Sequence, residues 1–399
     1  MQSRSGGVGE EWASRMGNAS QQQGEFAAVF GRSIRPDALV KLGPVQLEQS
    51  GGGGVAVAAV GMVGQRPEYE DEHLVEELPI QGHLLLGIFD GHNGHHSAQY
   101  AKTNLARILQ QTVEWKAYSA EEPRSAATLG AALTQAFIAL DRELKTVYLN
   151  SGTTATVVVV TPRMLVCANA GDSRTVLGQV DGTAIALSVD HKPNLPGERA
   201  RIEAAGGTVV ADETDHGAGA GAGSGFGIDL VWRINGQAAC SRGFGDFDLK
   251  GGEGLGPGEQ QVSCVPDVTI HRRDDDRDDF LLLASKGLFD VLTQGDALAH
   301  ARRVVGDEYA EPSLLLACEE LLDLAFSRRS LDNISAVLVR LPAARLGLGE
   351  GGGVARLRRE RGDLLRLVGP GDDDGEYYDV APTCDATPQP GSLFFGLDE

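Results

Sequence analysis

Leu84-Leu85-Leu86-Gly87-Ile88-Phe89-Asp90-Gly91-His92 is the stretch from which the rest of the chain is read. Its first six residues form a short apolar run of strand length, and the run stops at an acid followed by glycine. Three further segments carry an acid beside a β-rich run: Asn169-Ala170-Gly171-Asp172-Ser173-Arg174, Ala284-Ser285-Lys286-Gly287-Leu288-Phe289-Asp290 and Leu331-Asp332-Asn333. Glu70-Asp71 lies upstream of them all. Carboxylates gathered at strand ends suggest a site for a hard metal ion, because Mg2+ and Mn2+ prefer oxygen ligands.

Outward from this stretch, apolar runs of strand length recur at Val55 to Val63, Thr156 to Thr161, Met164 to Ala168, Phe280 to Ala284 and Ile334 to Leu341. Apolar residues at helical spacing predict helices over His96 to Val113, Ala126 to Leu149, Pro196 to Ala205 and Pro312 to Ser327. Pro196 and Pro312 suit a first helical turn, and Gly206-Gly207 would end the third helix. Pro162-Arg163 between two strand candidates reads as a hairpin and so as antiparallel pairing. The pattern is that of an α+β protein with helices outside antiparallel sheets.

Composition narrows the function. The net charge of -21 would repel a nucleic-acid backbone or an anionic membrane, so neither is an expected partner. No run of about 18 apolar residues is present to span a bilayer. Cys167, Cys240, Cys264, Cys318 and Cys384 show no paired spacing, which fits a reducing compartment, cytoplasmic or nuclear. Residues 1–45 read as a flexible arm, 46–342 as one domain and 343–399 as a partly disordered extension in which Val354 to Val368 could form a helix. The Gly-Ala run within Thr214 to Gly227 reads as a loop.

The segments Arg66 to Asp71, Phe89 to Gly94, Ser151 to Ala155, Gly171 to Arg174, Asp190 to Pro193, Ser241 to Asp246, Ala284 to Asp290 and Asp332-Asn333 occur in a characteristic order. In that order and spacing the chain resembles the metal-dependent Ser/Thr protein phosphatases of type 2C. The resemblance implies a four-layer α-β-β-α sandwich of two antiparallel sheets flanked by helices, with metals at one edge. It implies Mg2+ or Mn2+ as cofactor, two ions being expected, and phosphoproteins as partners. Asp90 would bridge the ions, with Gly91 giving its carbonyl to the second and Glu70 supporting that ion partly through water, and Asp71 is counted among the metal-binding residues. Asp332 would hold the first ion and Asp172 a third, weaker one. Arg66 would take the substrate phosphate, for which a guanidinium fork is well shaped. His92 would give a proton to the leaving oxygen.

Read without the resemblance, Arg66 is a surface cation, His92 a structural turn residue and Asp172 a turn former. Thr153, Thr154, Asp190, His191 and Ser241 to Asp246 read as structural, with Asp246 a possible addition to the acidic edge. His95 and His96 read as exposed residues at a helix start. One position departs from the pattern the resemblance brings: Lys286 stands where it places a metal-binding Asp. A lysine there removes a carboxylate and adds a positive charge, and its ammonium could pair with Asp90 and Asp332. The expected activity is hydrolysis of phosphoserine and phosphothreonine by metal-activated water. The alternative is a pseudophosphatase, a binding or scaffolding module with an incomplete metal site.

Overall fold

The computed structural model describes residues 38–48, 55–147, 150–216, 230–306 and 313–345. Its layout follows from how one strand is buried. Leu84–Phe89 is buried at every position. Leu84, Leu86 and Ile88 enter a cluster with Val57, Val158, Leu281 and Val337, all from strands, whereas Leu85 and Phe89 enter another with Leu105, Leu133 and Phe137 from helices. A strand covered on both faces needs apolar residues at consecutive positions, which is why this run does not alternate. Trimming a fully buried leucine such as Leu86 to alanine typically costs about 2–5 kcal/mol.

Eleven strands make the two main sheets: β1 (Lys41–Glu48), β2 (Ala56–Met62), β3 (Glu72–Glu77), β4 (Leu84–Phe89), β5 (Ala155–Val160), β6 (Met164–Ala170), β7 (Arg174–Gln179), β8 (Ala184–Ala186), β9 (Asp267–Arg272), β10 (Asp278–Ala284) and β11 (Ile334–Arg340). One sheet runs β1-β2-β11-β10-β7-β8 and the other β9-β6-β5-β4-β3. Neighbouring strands in both are antiparallel. The hairpin expected at Pro162-Arg163 joins β5 to β6, with Val160 opposite Leu165.

Helices cover both outer faces. On the second sheet lie α1 (His96–Gln111), α2 (Val113–Ala120) and α3 (Ala126–Leu144). After α4 (Pro196–Ala204) and the single turn α5 (Lys286–Phe289), α6 (Gln294–Val305) and α7 (Leu314–Ser327) cover the first sheet. The architecture is therefore the expected α-β-β-α sandwich. Capping side chains set the helix ends: Ser125, Thr293 and Ser313 accept from the backbone N–H three residues on. Thr112 splits the predicted His96 to Val113 helix, because its extended backbone ends α1 while its hydroxyl caps α2 through Trp115 N–H. The predicted Ala126 to Leu149 helix stops at Leu144.

Chain entry precedes residue 45: Ala38 and Leu39 are buried in the core beneath α7, and β1 begins at Lys41. Most of the N-terminal arm, most of the Thr214 to Gly227 loop and the Val354 to Val368 segment lie outside the described residues.

Candidate active site at one end of the sandwich

Antiparallel register brings the candidate residues together. Phe89, the last residue of β4, pairs with Glu72, the first of β3, so Asp90 and Asp71 flank that pair. Ala170 at the end of β6 pairs with Ala155, setting Asp172 at the same end. Ala284 ends β10 opposite Ala336 near the start of β11, which places Lys286 and Asp332 there as well. Close backbone packing narrows the end further: a Cβ on Gly91 would lie 2.3 Å from the Glu70 carbonyl oxygen, and one on Gly287 2.0 Å from that of Asn333. Both positions therefore require glycine.

Asn333 ties the Arg66 to Asp71 loop to this floor. Its amide donates to the carbonyls of Val63 (2.7 Å) and Glu68 (2.9 Å), and its oxygen accepts from Glu70 N–H (2.9 Å). The Glu70 carboxylate reaches across to accept from Gly94 N–H at 2.5 Å. Asp71 is buried, and Ser335 O–H donates to its Oδ2 (2.7 Å), while its Oδ1 has no hydrogen-bond partner. Tyr69 O–H donates to Ser335 in turn, at 2.8 Å.

Asp90 is held by the backbone. Its N–H donates to the Thr154 hydroxyl oxygen (3.2 Å), Thr154 N–H donates to its carbonyl (2.9 Å), and Lys286 N–H donates to its Oδ2 (3.1 Å). Burial pushes the Asp90 carboxyl well above the usual range, and repulsion from Asp71, Asp332 and Asp172 adds to it. Burial likewise raises Asp71, to about 7, with Asp332 and Glu70 adding repulsion against the Ser335 hydrogen bond. Negative charge is thus crowded on this side beyond what its own hydrogen bonds relieve.

Arg66 is exposed, and its Nε pairs with Asp332 Oδ1 at 2.8 Å. His92 Nε2–H donates to the Asp246 carboxylate at 2.8 and 2.9 Å. Burial acts to lower the His92 pKa, but the Asp246 charge and hydrogen bond outweigh it and hold it above the ordinary value. Asp246 adopts a left-handed conformation (φ 51°), and a Cβ on Gly152 would strike both side chains. His95 and His96 are exposed and stack on each other, with ring centroids 4.4 Å apart.

The Lys286 side differs from expectation. The ammonium pairs with Asp290, one helical turn on, and not with Asp90 and Asp332. The first N–H of the turn α5 holds Asp90, and the Lys286 charge partly offsets the repulsion on that carboxylate. Asp172 pairs with Lys192. Burial would raise the Asp172 carboxyl, yet Lys192 and Lys286 hold it below the usual range. Arg174 braces this side through a two-pronged contact to Asp190 (2.9 Å each) and by lying 5.0 Å from the Phe289 ring centroid. His191 accepts from Gly171 N–H through Nδ1 and faces Asp267 through Nε2, a structural role.

A protein phosphatase 2C family model matches residues 56–334. The chain belongs to the protein phosphatase 2C family. It is 39% identical over 269 residues to protein phosphatase 2C homolog 2 of Saccharomyces cerevisiae, covering 64% of this chain and 52% of that protein. It is 38% identical over 246 residues to protein phosphatase 2C homolog 2 of Schizosaccharomyces pombe, covering 61% and 58%. A crystal structure of a phosphatase from a pathogenic strain of Toxoplasma gondii matches with TM-score 0.58 at 26% identity, over 72% of this chain and 92% of that one. The alignments span between half and three-fifths of the length of those two fungal phosphatase 2C homologs.

Family membership raises the question of metal fit. Among the described residues, no three His, Cys, Asp or Glu side chains form a group that could hold a metal ion. The set Glu70, Asp71, Asp90, Asp172 and Asp332 is therefore not a preformed carboxylate cage, because Asp172 is engaged by Lys192 and Asp332 by Arg66. The Asp90 side nonetheless suits a hard divalent ion: such ions keep several waters and take only one or two carboxylates, and the crowded charge and unpartnered Asp71 Oδ1 call for a cation. The Lys286 side does not suit one, since two ammonium groups already sit there. Sequence reading missed Lys192 as the partner of Asp172. A basic residue two positions after Asp190, in a segment already singled out, was the available signal.

Proposed function

We propose that this chain is a metal-dependent protein serine/threonine phosphatase acting on phosphoproteins in a reducing compartment, cytoplasmic or nuclear. The observation that carries this reading is the convergence at one sandwich end of Asp90 and Asp71, both with raised carboxyl pKa values, with Arg66 and His92 beside them. Asp90, the Gly91 carbonyl and Glu70 would hold Mg2+ or Mn2+, with Asp71 behind them. When bound, such an ion lowers the pKa of water towards neutrality and polarises phosphoryl oxygens.

The chain's own groups supply the rest. Arg66 is exposed and pairs with Asp332 through Nε, so its fork can turn from Asp332 to a substrate phosphate. The Asp246 charge and its hydrogen bond at Nε2 favour the protonated form of His92, which lies two residues from Asp90 and can give the proton on its other ring nitrogen, Nδ1, to the departing serine or threonine oxygen. Asp246 orients the ring and restores its charge preference. The cysteines Cys167, Cys240, Cys264 and Cys318 are free, which supports the assignment to a reducing compartment.

The test is hydrolysis of a phosphothreonine peptide with Mn2+, with and without chelator, by the native chain and by Asp90→Asn. Mn2+-dependent phosphate release that is lost in the variant is the expected result. Absence of release from the native chain across peptides and metals would overturn the reading.

A further inference from the structure

We propose that the centre takes a single divalent cation, on the Asp90–Glu70 side, and that the ammonium groups of Lys286 and Lys192 permanently occupy the side where a further ion would sit. The inference rests on the metal-dependent reading above and deepens it by fixing how many ions the centre holds.

Charge pairing across the site carries it. On one side the acids' hydrogen bonds come from neutral donors, Asp71 from Ser335 O–H, Asp90 from Lys286 N–H and Glu70 from Gly94 N–H, and the Lys286 charge, itself paired with Asp290, only partly offsets the repulsion on Asp90. Asp71 Oδ1 is buried without a partner. On the other side, Asp172 is matched by Lys192 and Asp290 by Lys286, two anions against two cations. Each ammonium sits in a close ion pair, Lys286 with Asp290 and Lys192 with Asp172. A second divalent ion beside Asp172 would face two neighbouring positive charges and would have to break an existing ion pair to gain a ligand.

The same lysine joins the two sides. Its N–H fixes the Asp90 carboxylate while its ammonium neutralises the far side, so residue 286 orients the ligand of the one ion and excludes a second. Lys286 is accordingly a positioning residue, since it acts on the metal through Asp90. Substituting Asp at 286 would keep the backbone contact, remove one positive charge and add a carboxylate beside Asp172 and Asp290.

The experiment is titration of the native full chain with Mn2+ by calorimetry, with electron paramagnetic resonance of the bound metal. Native protein is expected to bind one Mn2+ and to show the hyperfine sextet of an isolated ion. Lys286→Asp is expected to bind a second Mn2+ at least about tenfold more tightly than native protein does, and to show the broadened spectrum of two coupled ions. Lys286→Ala, which only removes the ammonium, is expected to lie between the two and covers the case in which Lys286→Asp does not fold. Two tightly bound, coupled ions in the native chain would overturn the inference while leaving the phosphatase reading intact. No bound Mn2+ in the native chain would overturn both.

Discussion

On the two sides of Asp90 the same residue type is treated in opposite ways. Asp71 is buried with an unpartnered oxygen and a pKa raised to about 7, whereas Asp172, equally buried, lies below the ordinary range because Lys192 and Lys286 surround it. Burial disfavours both carboxylates, so what separates them is the sign of their neighbours. The fold leaves one cluster of acids in mutual repulsion while its own lysines neutralise the next, and it is this difference that the proposed single-cation reading rests on.

The strongest way to break this comparison is Asp90→Asn. The amide oxygen can still accept from Lys286 N–H, so the geometry is kept while the charge that would draw the ion is removed. Phosphopeptide hydrolysis is expected to fall by about three orders of magnitude or more, read as kcat/KM with saturating Mn2+. The melting temperature of the metal-free protein is expected to hold or rise, because repulsion with Asp71, Asp332 and Asp172 is relieved. A large fall in melting temperature would mean that Asp90 is a structural acid.

Asp246→Asn comes next in size. Asparagine tolerates the left-handed backbone at this position, so the fold should survive. Without the carboxylate that holds it up, the His92 pKa should drop, and the alkaline limb of the kcat profile should move to lower pH with a loss of about tenfold to a hundredfold. An unchanged profile would remove His92 from the reaction. Asn333→Ala addresses the scaffold instead. Two hydrogen bonds from its side chain reach the Arg66 to Asp71 loop and a third reaches Val63 just before it, so unfolding in urea should show a loss of about 2–4 kcal/mol.

Much of this fold was legible because its strands are buried on both faces. Leu84–Phe89, Ala155–Val160 and Ile334–Arg340 announce themselves as unbroken apolar runs. The helix break at Thr112 was not legible, because the apolar spacing continues across it and only the cap geometry ends α1. In the site, acids at strand ends were visible as a pattern, but their partners were not. Lys286 looked set to fill the place between Asp90 and Asp332, and whether a long side chain turns to those acids or to Asp290 is decided by one helical turn. Pairing of that kind is a matter of direction in space, which residue spacing does not encode.

The smallest expected effect extends the comparison to a carboxylate held by arginines. Glu198 on α4 is buried, and burial would raise it, but Arg242, Ser241 and Arg201 bring it to about 2. Arg242 contacts both carboxylate oxygens and Ser241 O–H donates at 2.6 Å. Because the folded value lies below the unfolded one, the unfolded chain takes up a proton first as acid is added. The stabilisation is therefore complete above the ordinary glutamate pKa and is lost as pH falls towards about 2. Glu198→Gln removes the charge but keeps an acceptor, so it should cost about 1–2 kcal/mol at neutral pH, with a shallower loss of stability on acidification. Asp71 is shifted the opposite way, so acid should not weaken it in the same manner. An acid limb unchanged by Glu198→Gln would show that the arginine pair does not neutralise Glu198 as Lys192 does Asp172.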